Sequence, residues 1–226
     1  DHLKKRGIRT LLLTPLKQDS PVVEILPGIC LKKGLKISST NAGNLYSMDL
    51  ADSFEAYLLG LTGKHRHEIR RKLRRLSEAG KIHFHVTRAL KDPDGEYARF
   101  ISLFKSSRPD KAQFMTGRMT GYFKTLFHDL KQQGMLRLGN LSINGKRVAS
   151  TFCFNFNDEL FLYNNGYDPV YNRLSVGLLS KIYTIRYAIE NRYARFNFLK
   201  GDEAYKKGLG GIGKPLYRLT VHINPE

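Results

Sequence analysis

The sequence is short of cysteine, of acid and of long apolar runs, and each shortage excludes something. Its two cysteines, Cys30 and Cys153, stand 123 positions apart in 226 residues. That is too few for a disulfide framework and lacks zinc spacing, so a reducing, cytoplasmic compartment is expected. No apolar stretch approaches the ~20 residues that a membrane-crossing helix needs. The opening DHLKKRGIRT has neither the apolar stretch nor the small-residue cleavage site of a signal peptide. Gly-x-Ser-x-Gly, a Cys/His nucleophile arrangement and a phosphate-binding P-loop are all missing. Among the seven histidines, His65 and His67 do not share a helix face, and His83 and His85 share a strand face without a third ligand nearby, so no metal is expected. Tryptophan is absent, yet 12 Tyr, 13 Phe and a 41% hydrophobic content exclude a disordered polybasic tail. Acid is outnumbered by base: 20 Asp and Glu face 38 Lys and Arg, a formal charge of +18. Such an excess calls for an anionic partner, whether nucleic acid, a membrane surface or a phosphorylated small molecule.

Within residues 1–50, short apolar pieces at 8–13 and 22–26 are broken by Pro15, Pro21, Pro27, Gly28 and Gly34. They read as strand fragments with nothing local to pair with, the remnant or end of a preceding N-terminal region. The domain proper is expected over 51–226, opening with a short helix capped by Asp52 or Ser53. In residues 64–79, KHRHEIRRKLRRLSEA, the apolar Ile69, Leu73 and Leu76 make one narrow helical stripe. The remaining faces carry Arg66, Arg70, Arg71, Lys72, Arg74 and Arg75, and residues 64–81 hold a net +6. Period-two alternation over 81–86 predicts a strand. Helices follow from Asp92-Pro93 and over 120–133. Three strands joined at Asn144-Gly145 and Asn157-Asp158 make an antiparallel meander. A helix over 175–193, a strand over 194–199, a short helical patch at 203–207 and a last strand over 216–223 complete the chain.

From residue 81 the elements run β-α-α-β-β-β-α-β-α-β, an α/β (α+β) arrangement with a mixed, mostly antiparallel central sheet flanked by helices. This is the element order of the GNAT, acyl-CoA N-acyltransferase-like fold. The runs YNNGYDPVYNRLSVGLL (163–179), FNFLKGDEAYKK (196–207) and KHRHEIRRKLRRL (64–76) resemble the GNAT acyltransferase family grouped with the cellulose-biosynthesis protein CelD. That family is related to the Fem-type aminoacyltransferases of peptidoglycan synthesis. The resemblance implies transfer of an acetyl or other acyl group from coenzyme A, without a metal, to an amine or hydroxyl in a cell-envelope or polysaccharide pathway. An aminoacyl-tRNA-dependent Fem-like transferase is the alternative. A catalytically degenerate module that binds a polyanion or a protein is a third.

Two segments are candidate sites. At 173–178 a break opens into a helix, whose unpaired N-terminal amides and dipole suit a pyrophosphate; Ser175 as an ordinary helix cap is the bland alternative. The resemblance assigns coenzyme A to Arg173, Ser175, Val176, Gly177 and Leu178, with Tyr163 on the preceding strand. Val176 stands where the family's first loop glycine would fall, and Gly177 one place later. The second segment is 200–207. Acyl transfer needs a base, an oxyanion donor and an acid for the leaving thiolate. The resemblance makes Gly-Asp-Glu-x-Tyr-Lys the signature, with Tyr205 protonating the sulfur and Lys206, Asp202 and Glu203 beside it; its usual Trp is missing. Glu203 or Asp168 is the candidate general base. Asp202, Glu203, Lys206 and Lys207 as solvated helix-end charges are the bland reading. The basic helix, through Arg66, Arg70, Arg71, Arg74 and Arg75, is expected either to contact a phosphate-bearing or sugar acceptor, tRNA or an anionic membrane surface, or simply to face solvent.

Overall fold

Caps and turn residues punctuate the chain much as the patterning predicts. The structure is a computed structural model and describes residues 2–223. Its elements in chain order are α1 (His2–Lys5), β1 (Thr10–Lys17), α2 (Pro21–Lys32), β2 (Lys36–Asp49), α3 (Phe54–Gly60), α4 (Gly63–Glu78), β3 (Ile82–Thr87), α5 (Pro93–Ser107), α6 (Pro109–Phe114), α7 (Gly117–Gln132), β4 (Leu136–Ile143), β5 (Lys146–Phe156) and β6 (Glu159–Tyr167). After a 3₁₀ segment (Pro169–Leu174) come α8 (Val176–Glu190), β7 (Arg195–Lys200), α9 (Ala204–Gly208) and β8 (Ile212–His222). The mixed, mostly antiparallel α/β character expected from the sequence is present. Four helix starts have a side-chain cap: Ser53 accepts from the Ala56 amide, Thr62 from His65, Asp92 from Gly95 and Thr116 from Met119.

Two compact units divide the described residues. One runs through Tyr46 and takes in Lys200–Ala204 and the chain from Ile212 onward; the other holds Ser47–Leu199 and Tyr205–Gly211. The last strand, β8, falls in the unit that holds the first segment. Asp1 and residues 224–226 of the expected domains lie outside the described residues.

In the first unit β1 pairs antiparallel with β8, Thr10 opposite His222 and Lys17 opposite Leu216. Residues 22–26, read from sequence as a strand fragment, are helical instead. Pro21 occupies the first turn of α2, where its missing amide costs nothing. Leu26 and Cys30, four apart on one face, pack with Val221 and Ile223.

In the second unit the strand order is β7-β6-β5-β4-β3. Asn144 and Gly145 both take positive φ, 50° and 80°, as a two-residue hairpin turn between β4 and β5 requires. Side chains alternate across this sheet. Phe152 of β5 meets Phe100 of α5 and Phe127 of α7 at ring-centroid distances of 5.5 Å. Its neighbour Thr151 points the other way and hydrogen-bonds Thr184 of α8 at 2.9 Å. Helices α5 and α7 therefore cover one face and α8 the other. The first face carries an aromatic core that also includes Phe104 and Phe123.

Gly166, near the end of β6, lets α5 lie directly on the strand. A Cβ there would stand 2.3 Å from the Phe104 amide nitrogen, a backbone atom with little freedom to move. Gly166→Ala is expected to destabilise the protein by about 1–3 kcal/mol through overpacking, read as a lower urea midpoint with unchanged slope.

Candidate active site

Strand β6 and its parallel neighbour β7 diverge. Their register covers three residue pairs, Glu159 with Arg195, Leu160 with Phe196 and Phe161 with Asn197, after which the ladder stops although β6 continues to Tyr167. The cause is visible one strand over. The pairing of β5 with β6 slips between Phe152 and Cys153, leaving Tyr163 as the extra residue of a bulge, and bulges bend and twist the strand that carries them. The Tyr163 ring packs against Phe123 and Phe152 in the aromatic core. Burial first, then a hydrogen bond with Tyr122, pushes its hydroxyl well above the usual tyrosine range.

Past the fork the chain turns through Asp168 into α8. The Asp168 carboxylate accepts from the Val170 amide at 3.1 Å and pairs with Lys146 at 3.1 Å, so it caps the 3₁₀ segment, which also carries the exposed Arg173. Ser175 is left-handed (φ 56°, ψ 34°) and its hydroxyl does not cap the helix. It accepts instead from Lys72 Nζ at 2.8 Å. Lys72 belongs to α4, so one cation of the basic helix stands at the head of α8, where the helix dipole is positive. Lys72 is held there jointly by Glu68, 3.2 Å away. Hydrogen bonds from Arg71 and then Lys72 lower the Glu68 carboxyl to about 2.

Val176 and Gly177 are buried, and Leu178 is half-buried. A Cβ on Gly177 would come within 2.5 Å of the Tyr167 ring, which explains the need for glycine at this place. The Gly177 carbonyl accepts from Asn165 Nδ2 at 3.2 Å, Ser180 Oγ at 3.1 Å and Lys181 Nζ at 2.8 Å. Asn165 lies on the divergent part of β6, so these bonds tie the open side of the fork to the first turn of α8.

Lys181 is 8% exposed, and its ammonium also lies 4.5 Å from the centre of the Tyr205 ring, a cation–π contact. The next residue, Lys206, is 2% exposed and donates to the Leu199 carbonyl at 3.2 Å. Lys206 is therefore not a solvated helix-end charge, whereas Lys207 is exposed. Tyr205, Lys206, Lys181 and the α8 head thus belong to one compact unit. Asp202 and Glu203 fall in the other. There both are exposed, and Asp202 accepts from Asn44 Nδ2 at 2.8 Å and the Tyr46 hydroxyl at 3.2 Å. Lys72, Asn165 and Lys181 were not singled out as site residues by sequence reasoning. Lys72 stood among the basic residues of its helix, but nothing local marks its contact with Ser175, 103 positions away.

The basic helix is largely engaged with its own protein. Arg70 pairs with Glu55, Arg71 with Glu68 at 2.9 Å and Arg74 with Glu78 at 3.8 Å, and Arg66 donates to the Leu59 carbonyl at 3.2 Å. These pairs are exposed, and such pairs contribute at most about 1 kcal/mol each. Arg75 is exposed on the same helix. No helix among the described residues is long and apolar enough to cross a membrane.

No curated protein matches in sequence. Among solved structures the chain is similar to FemX (TM-score 0.69, 11% identity, 96% of this chain and 73% of that one). It is also similar to L-PGS from Bacillus licheniformis (0.63, 13%, 100% and 71%) and to a tandem GNAT protein from the clavulanic acid biosynthesis pathway (0.51, 12%, 99% and 67%). At these identities the likeness is one of fold. The family description "Acetyltransferase (GNAT) domain" matches residues 63–207, well over half of the sequence and the whole segment from the basic helix to Lys207. The chain belongs to the GNAT acetyltransferase-domain family.

Proposed function

We propose that this chain transfers an acetyl or other acyl group from coenzyme A to an amine or hydroxyl of a cell-envelope or polysaccharide-pathway acceptor. The observation that carries the reading is the β6–β7 fork with Lys72 at the head of α8. The residues there suit a diphosphate: two first-turn amides without helical acceptors, those of Val176 and Gly177, and an ammonium bonded to Ser175. Acyl-CoA, when bound, supplies a thioester carbonyl. The chain's own contribution is to hold the diphosphate through Val176, Gly177 and Lys72, and to present buried positive charge from Lys181 and Lys206 where negative charge develops. Tyr205 is the proton donor, its ring held by Lys181.

The exposed arginines of α4 favour a second reading, an aminoacyl-tRNA donor in the Fem manner, because their weak ion pairs are easily exchanged for phosphates. Thermal unfolding separates the two. Acetyl-CoA at millimolar concentration is expected to raise the melting temperature by several degrees through preferential binding to the folded state, with the shift largely lost in Lys72→Ala. A flat response to acetyl-CoA, together with salt-sensitive tRNA binding that Arg70→Glu/Arg71→Glu/Arg74→Glu abolishes, would replace the first reading with the second.

A further inference from the structure

At the far edge of the same sheet lies a feature that acyl transfer at the fork does not use. Strand β3, the β4–β5 hairpin and α5 border an open hollow of about 700 Å³, rimmed by Lys81, His83, His85, Arg99, Ser142 and Arg147. Such a volume suits a ligand of nucleotide size. β3 stands three strands from β6, about 14 Å away at ~4.8 Å per strand.

Strand register explains why these groups converge. His83 lies opposite Ser142, and Ser142 opposite Arg147, so the three form one cross-strand row. His85, Asn140 and Ser150 form the next row on the same face. Phe84, between the histidines, turns the other way and stacks on Tyr183 of α8. The histidine rings stand 5.2 Å apart. Glu96 of α5 grips Arg147 through two contacts, 2.7 and 3.2 Å, and Arg99 through one of 2.9 Å, fixing both guanidinium groups at the rim. Arg99 also pairs with Asp92 at 3.5 Å, so Lys81, Arg99 and Arg147 stand against Glu96 and Asp92, a net positive site without counting the histidines. Beyond His85 the second row runs beneath the hollow rather than lining it: Asn140 is 0% exposed and accepts from Ser150 at its oxygen.

We propose that this hollow binds the phosphate group of a small molecule of nucleotide or sugar-phosphate size, with affinity that rises as pH falls. The surroundings fit that dependence. Burial, then His83, then Arg147, lowers the His85 pKa, and Glu96 opposes them. Lys81, just before β3, and Arg99 of α5 add positive charge, while Tyr183, Arg186, Tyr187 and Glu190 of α8 line a separate hollow that His85 borders across the edge of β3. An arriving phosphate reverses the balance, so binding takes up protons and tightens as pH falls.

The test follows the imidazole Cε1–H resonances of His83 and His85 by NMR while pyrophosphate, and separately UDP, is added at pH 7.5 and at pH 5.5. Both signals are expected to move with at least one probe, with affinity about tenfold higher at the lower pH. The exposed double variant Lys81→Ala/Arg99→Ala should lose most of that affinity while its melting temperature stays near the parent's. Tighter binding of UDP than of pyrophosphate would add a nucleoside to the ligand and support the site; equal binding would confine the ligand to its phosphates and support it too. Histidine signals unmoved by 10 mM of either probe, or an affinity that the double variant leaves unchanged, would overturn the proposal.

Discussion

Replacing Lys206 by methionine is expected to lower acyl transfer by at least about 100-fold while leaving the protein as stable as before or more so. The two halves of this expectation come from one fact, the 2% exposure of a side chain whose ammonium reaches the Leu199 carbonyl. Burying an ammonium is costly, and an unbranched apolar side chain of similar length fills the same space without that cost. A residue kept there for stability alone would be poorly chosen; one kept to meet developing negative charge must be a cation. Turnover is measured as coenzyme A thiol released from acetyl-CoA with hydroxylamine as a surrogate acceptor, and stability by thermal unfolding. A fully active Lys206→Met protein would remove Lys206 from the chemistry, and an inactive but unfolded one would make its role structural.

The largest expected stability effect lies in the aromatic core. Phe152→Ala should destabilise the second unit by about 3–5 kcal/mol. Phe152 is fully buried and contacts Phe100, Phe127 and Tyr163, so the loss of transfer free energy is joined by a cavity that three rings from three different elements cannot easily close. A typical domain has about 5–15 kcal/mol in all, so this single change should bring the protein close to unfolding at 37 °C. Urea unfolding measures it directly. A loss below about 1 kcal/mol would mean that the core repacks freely around the gap.

The expected effects also show where sequence reading reaches and where it stops. The patterning predicts the basic helix over 64–79 and the helix is found at Gly63–Glu78, because a cap, an apolar stripe and a terminal glycine are all local signals. The meander and its Asn-Gly turn were legible for the same reason. Helix α2 was not, because Pro21 and Pro27 read as breakers although one opens the helix and the other is tolerated within it. Strand β2 was missed as well: its stretch SSTNAGN lacks the alternation of a half-buried strand. At the candidate site, a helix start at Ser175 was readable, but the reason for Gly177 lies in the Tyr167 ring, and the reach of Lys72 to Ser175 crosses 103 positions. Lys206 and Lys207 are chemically alike in sequence. Only the ~100° turn between successive helical residues puts one inside and the other in solvent.

A crystal structure of the protein grown with coenzyme A tests the central claim most directly. The account predicts the pyrophosphate on the amides of Val176 and Gly177, within reach of Lys72 Nζ, and the pantetheine arm entering between β6 and β7 toward Tyr205. A nucleotide found elsewhere on the molecule, with the fork and the head of α8 left empty, would contradict it.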